Sequence, residues 1–255
     1  MKNFFAGLIM IVFLSGCAAV VPSWNISPLD IVEGNGDIID VIVPVPQGTD
    51  SSRFNVFSVH NTFINVILTN NLHEEIRFSI DSNLAEYIEV LNNNGVLVVR
   101  TAEGISISPS DRTLDIYINS SSLASMQKSG AGRLTTDGVF TIENLSMNLS
   151  GAFTADMDVI IADTFQIQQL GAGSMEARGR ATNLDLLISG ASSTNLSGLI
   201  AQNAEVTISG AASATVYVEE SLDASVSGVG SITYFGNPST VQASTAGVGS
   251  ITRGD

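Results

Sequence analysis

A short glycine phrase recurs seven times in the second half of the chain, and its spacing limits what the chain can fold into. It reads Ser-Gly-Ala-Gly at 129–132, Ser-Gly-Ala at 150–152 and Gly-Ala-Gly-Ser at 171–174. It returns as Ser-Gly-Ala-Ser at 189–192, Ser-Gly-Ala-Ala at 209–212, Ser-Gly-Val-Gly at 227–230 and Ala-Gly-Val-Gly at 246–249. The first glycines are Gly130, Gly151, Gly171, Gly190, Gly210, Gly228 and Gly247, giving steps of 21, 20, 19, 20, 18 and 19 residues. A fixed period near 20 residues marks a solenoid.

The residues before each glycine say which solenoid. Six before it stand Ala124, Leu145, Phe165, Leu184, Ala204, Leu222 and Val241. Four before it stand Met126, Met147, Ile167, Leu186, Val206, Ala224 and Ala243. Between them stand Ser125, Ser146, Gln166, Asp185, Glu205, Asp223 and Gln242, polar in every copy. Period-two alternation belongs to a strand with one buried face. The expected fold is therefore all-β: a single-stranded parallel β-helix of about 20-residue coils, right-handed because parallel crossovers are. Seven coils at about 4.8 Å each would make a rod roughly 30–35 Å long. The glycine is expected at a corner, where it reaches backbone conformations that residues with a Cβ resist. The small apolar residue that follows it (Ala131, Ala152, Ala172, Ala191, Ala211, Val229, Val248) is expected to turn inward. A phosphate cradle would need a helix after the glycine, and a further strand follows instead. Calcium-binding nonapeptides need an Asp that no copy carries.

Charge narrows the partners. The net charge is −15, from 25 acids and 10 bases, with only two lysines. Nucleic acid is disfavoured, since phosphate contacts want clustered Lys and Arg. The acidity instead keeps a β-rich surface soluble and blunts edge pairing.

The N-terminus reads as an export signal. Met1-Lys2-Asn3 precedes an apolar run, Phe4–Leu14, too short to span a bilayer and suited to a secretory signal over 1–16. Leu14-Ser15-Gly16-Cys17 resembles a bacterial lipobox, and Cys17 is the only cysteine. That resemblance implies acylation of Cys17, a mature chain beginning there, and the membrane as a partner through two or three acyl chains. Ala18 and Ala19 in place of Asp favour the outer membrane. Residues 17–39 then form a tether, with Pro22 and Pro28.

The remaining domain is expected over 40–253: an atypical capping part at 40–120 and regular coils at 121–253. Asp37–Val45 is too apolar for a linker and is expected to dock as an edge strand, confined there by Pro44 and Pro46. Phe54–Val59, Phe63–Leu68 and Arg77–Ile80 alternate as strands. Leu84, Tyr87, Ile88 and Leu91 share one face of a short helical turn. Asn92-Asn93-Asn94-Gly95 marks a turn before the strand Val96–Arg100, and Leu114–Ile118 is a strand again.

Chemistry is sparse. His60 and His73 are the only histidines, so no Cys/His metal set exists, no cofactor motif is present, and no nucleophile elbow accompanies them. Two acidic groups stand out. Asp156, Asp158 and Asp163 lie one coil before Glu176, Arg178 and Arg180. Asp185, Glu205 and Asp223 should form a vertical ladder, a possible ligand face that could also attract a cation. The terminal Arg253-Gly254-Asp255 matches an integrin-binding phrase that three residues match often by chance.

The glycine phrases, the Gly95-to-Val99 strand and Tyr234-Phe235-Gly236-Asn237-Pro238 together resemble the head GIN domain family. That family is described as an autotransporter adhesin and is otherwise a domain of undefined function. The resemblance covers roughly residues 40–253 and implies a β-helical, secreted or lipid-anchored surface protein, with no known binding residues. The leading expectation is a non-enzymatic surface lipoprotein that binds glycans or surface proteins, or serves as an envelope scaffold. The alternative is a carbohydrate-active enzyme working on its acidic face.

Overall fold

The computed structural model describes residues 30–44, 56–60, 64–70, 75–93, 96–110, 114–118 and 123–255. Cys17 and His73 lie outside them. The fold is the parallel β-solenoid that the glycine period predicts, with about six coils. The seventh glycine copy lies inside a partial last turn, between Thr240–Thr245 and Val248–Arg253.

Every polar residue five before a glycine stacks on its counterpart. Ser125 pairs with Ser146, Ser146 with Gln166, Gln166 with Asp185, Asp185 with Glu205, Glu205 with Asp223, and Asp223 with Gln242. The alternation therefore puts Met126, Met147, Ile167, Leu186, Val206 and Ala224 in one buried column, and Leu145, Phe165, Leu184, Ala204 and Leu222 in another. Each coil supplies two walls: the segment before the glycine, and the segment after it. In the later coils one strand runs from one glycine corner to the next, as in Ala152–Gln169 and Ala191–Ile208.

Two expectations about the corner need correction. The small residue after the glycine faces solvent: Ala152, Ala172, Ala191 and Ala211 are exposed, and Val229 is 61% exposed. The next residue turns inward instead, as Phe153, Ser192 and Ala212 do. Left-handed backbone also explains only some of the glycines. Gly130, Gly151 and Gly247 have positive φ, whereas Gly171, Gly190, Gly210 and Gly228 do not. What these four share is space. A Cβ on Gly190 would lie inside the carbonyl oxygen of Gly171, the same oxygen that accepts the Ala191 N–H at 3.0 Å.

The capping part is built as expected at the edge and differently elsewhere. Ile38–Pro44 pairs antiparallel with Glu75–Asp81, and Asp30–Glu33, within the stretch read as a tether, pairs parallel with Ile105–Ser108. The helical turn shrinks to Ala85–Tyr87; Ile88–Asn93 is a strand, antiparallel to Val96–Thr101 with Asn93 opposite Val96. Ile88 and Val90 are β-branched and pay less in a pleated sheet than in a helix, and pairing decides the outcome. The coils also stack out of chain order. Val56–His60 lies between Val96–Thr101 and Ser125–Ser129. Ile64–Thr69 likewise lies between Leu114–Ile118 and Gly132–Asp137.

Polar groups inside the solenoid are few and mostly paired. The buried Gln169 amide oxygen accepts from Ser192 Oγ and Thr194 Oγ1, both at 2.8 Å. Asp81 is buried within the capping part, where it accepts from Gly36 N–H, Ser110 N–H and Ser110 Oγ at 2.7–2.9 Å. Burial alone would push its carboxyl up; the hydrogen bonds from Ser110 and Gly36 outweigh it and hold the group below the ordinary carboxylate value.

Candidate functional site

The Asp185–Glu205–Asp223 ladder lines an open groove of about 340 Å³ on the wall that precedes the glycines. Its two sides follow from strand geometry, because residues two apart face the same way. Asp185, Glu205, Asp223 and Gln242 form one side. Asn183, Asn203, Ser221 and Thr240 form the other, and Leu184, Ala204 and Leu222 line it between them. In-register pairing repeats each group once per coil.

Hydrogen bonds orient the amide side. Asn183 Nδ2 donates to Asp163 Oδ1 at 3.0 Å, Asn203 Nδ2 to Asn183 Oδ1 at 3.2 Å, and Ser221 Oγ to Asn203 Oδ1 at 2.6 Å. On the acidic side Ser146 Oγ donates to Gln166 Oε1, and Gln166 Nε2 to Asp185 Oδ2, both at 2.9 Å. The three carboxylates stand in single file instead of converging. Among the described residues, no group of three or more His, Cys, Asp or Glu side chains is placed to hold a metal ion.

The second acidic group becomes an ion-pair cluster. Arg178 donates to Asp156 Oδ1 at 2.6 Å, Asp158 Oδ1 at 2.9 Å and Glu176 Oε1 at 2.8 Å. Hydrogen bonds to Asp156 and Asp158 raise the guanidinium pKa further. The cluster is half exposed and joins two neighbouring coils. Asp163 is elsewhere, in the amide column, and Arg180 stands apart in an outward row with Ile160, Ile200, Tyr217 and Phe235. Sequence spacing concealed that row, because the coils bulge between Leu196 and Ile200 and the residues fall at different distances from their glycines. His60 ends the strand Val56–His60. Arg253 ends the last strand, and Gly254 N–H donates to Tyr234 O at 2.9 Å, tying the terminal tripeptide to the coil.

A family model described as "Putative auto-transporter adhesin, head GIN domain" matches residues 54–238. The chain belongs to the head GIN domain family. Solved structures share its fold. The crystal structure of a putative adhesin from Bacteroides fragilis is 22% identical, with a TM-score of 0.78, covering 87% of this chain and 99% of its own. A putative lipid binding protein from Parabacteroides distasonis is 19% identical, with a TM-score of 0.66, covering 89% of this chain and 100% of its own. A putative adhesin from Parabacteroides merdae is also 19% identical, with a TM-score of 0.62 and the same coverage. No curated protein matches the chain. The head GIN description is adhesin-like, that of a cell-surface or secreted protein.

Proposed function

We propose that this head GIN protein is a lipid-anchored surface protein that binds its ligand along the groove between Asn183 and Gln242. The observation that carries the reading is the groove itself, an exposed trough with polar groups repeated in register on both sides. The lipobox-like Leu14-Ser15-Gly16-Cys17 supports acylation at Cys17 and an outer-membrane location. The ion pairing favours binding over hydrolysis. Asp156, Asp158 and Glu176 are all held by Arg178, and the groove's own carboxylates stand along one side only, whereas a hydrolase needs a carboxyl on each side of the scissile bond.

Two measurements test the proposal. Cys17→Ser is expected to move the protein from the membrane fraction to the soluble fraction, and membrane retention of that variant would refute the anchor. The released protein is then offered to an array of glycans and matrix proteins. Selective signal is the expected result; a blank array would refute a ligand-binding role and move the weight to an envelope scaffold.

A further inference from the structure

The inference here rests on the groove being the ligand site. We infer that it takes a linear, uncharged glycan lying along the rod, one sugar to a coil.

Period is the first argument. Each group in the groove repeats once per coil, about 4.8 Å apart. A ligand that meets every coil alike must repeat at that distance. An extended peptide presents like groups every second residue, about 6.6–6.8 Å apart, and is out of step within two coils. A chain of pyranose rings advances by close to one coil spacing per sugar.

Hydrogen-bond capacity is the second. A primary amide carries two N–H donors, and Asn183 and Asn203 each use one within their own column. One donor therefore remains for a ligand in each of these two coils, whereas the Ser221 hydroxyl gives its own to Asn203 Oδ1 and is left to accept. On the opposite side, ionised carboxylates accept only. Among the described residues, neither Glu205 nor Asp223 receives a side-chain hydrogen bond. In the Asn183 and Asn203 coils the groove thus offers a donor on one side and an acceptor on the other. A hydroxyl does both at once, and neighbouring hydroxyls on a sugar can reach the two sides together. Hydrogen bonds to carboxylates are the stronger kind, which puts most of the affinity on the acidic side.

Charge is the third. Among the described residues, three carboxylates and no Lys or Arg line the groove. A uronic acid or sulfated chain would meet like charge along its length, so anionic glycans are rejected.

The test uses protein purified from membranes in mild detergent, with calorimetry against neutral gluco- and manno-oligosaccharides, alginate oligomers, chitosan oligomers and an extended threonine-rich peptide. Neutral chains are expected to bind, with affinity rising up to four sugars, the number of coils that line the groove, and then levelling. The double variant E205A/D223A is expected to weaken them about tenfold or more, corresponding to about 1.4 kcal/mol, with an unchanged melting midpoint. Preference for alginate, chitosan or peptide, lost in the same variant, would overturn the neutral-glycan class and leave the groove standing. Neutral-chain binding that the variant does not touch would overturn the groove. Binding to none of the probes would overturn the inference, while a signal for another ligand on the array would still support the binding role.

Discussion

Gly190→Ala is expected to cost about 3–5 kcal/mol, although alanine is ordinarily the mildest replacement for glycine. The φ of Gly190 is not in the left-handed region, so backbone preference gives no reason for the residue. Contact does. The alanine Cβ would enter the carbonyl oxygen of Gly171, and the obstacle is backbone that cannot change rotamer. That oxygen is also the acceptor for Ala191 N–H, so moving it breaks a ladder bond. Gly210 in turn packs on the carbonyl of Gly190, so the strain passes to the next coil. Ordinary overpacking costs about 1–3 kcal/mol because side chains give way; here two coils must separate. Gly198→Ala is the control, since its Cβ would crowd the Arg178 stem, at 2.8 Å, a side chain that can give way, and would meet backbone, the Ala177 carbonyl, only at an ordinary 3.7 Å. Urea unfolding followed by circular dichroism should show a large fall in midpoint for Gly190→Ala and almost none for Gly198→Ala. Equal midpoints for the two variants would defeat the argument.

The regular coils were legible because two periods coincide in them. The 20-residue glycine step aligns the copies, and the two-residue alternation around Met147 or Leu186 says which side is inside. The capping part has no such redundancy. Val56–His60 is inserted between strands that come later in the chain, and an order of that kind is decided by which edges remain open when the coils assemble. Leu84, Tyr87, Ile88 and Leu91 have helical spacing, but the strand Val96–Thr101 offers Ile88–Asn93 a ladder, and a short isolated helix has little to set against it.

The candidate site was half legible for a related reason. Asp185, Glu205 and Asp223 are conspicuous as charges, and the alignment stacked them correctly. Asn183, Asn203 and Ser221 read in sequence as ordinary polar surface. Their meaning comes from the column of hydrogen bonds that fixes them, which exists only once the coils are in register. Asp163 shows the same limit. Composition grouped it with Asp156 and Asp158, whereas the corner between them sends it to Asn183 instead of Arg178.

Lys128 should make the protein more stable in mild alkali than at neutral pH. It occupies an inward position, in register between Val59 and Leu149, and is 1% exposed. Its Nζ donates to Ala131 O at 3.3 Å, a weak return for the desolvation of an ammonium group. Burial pushes the amine down from an ordinary 10.5 to about 8. The sign follows from proton counting. Below pH 8 both folded and unfolded chains carry the proton, and the folded state bears a constant penalty of about 3 kcal/mol. Between about 8 and 10.5 the unfolded chain holds the proton while the folded chain has released it, so stability rises with pH until the penalty is gone. Lys128→Met keeps the length of the side chain and removes the charge. It is expected to gain about 2–3 kcal/mol at pH 7, and the gain should shrink toward zero by pH 10.5. Guanidinium unfolding of both proteins across that range isolates the contribution of Lys128, since every other group is common to the two. A difference between the two that stays constant with pH would show that the amine is charged in the folded core throughout, and that its burial costs far less than the geometry implies.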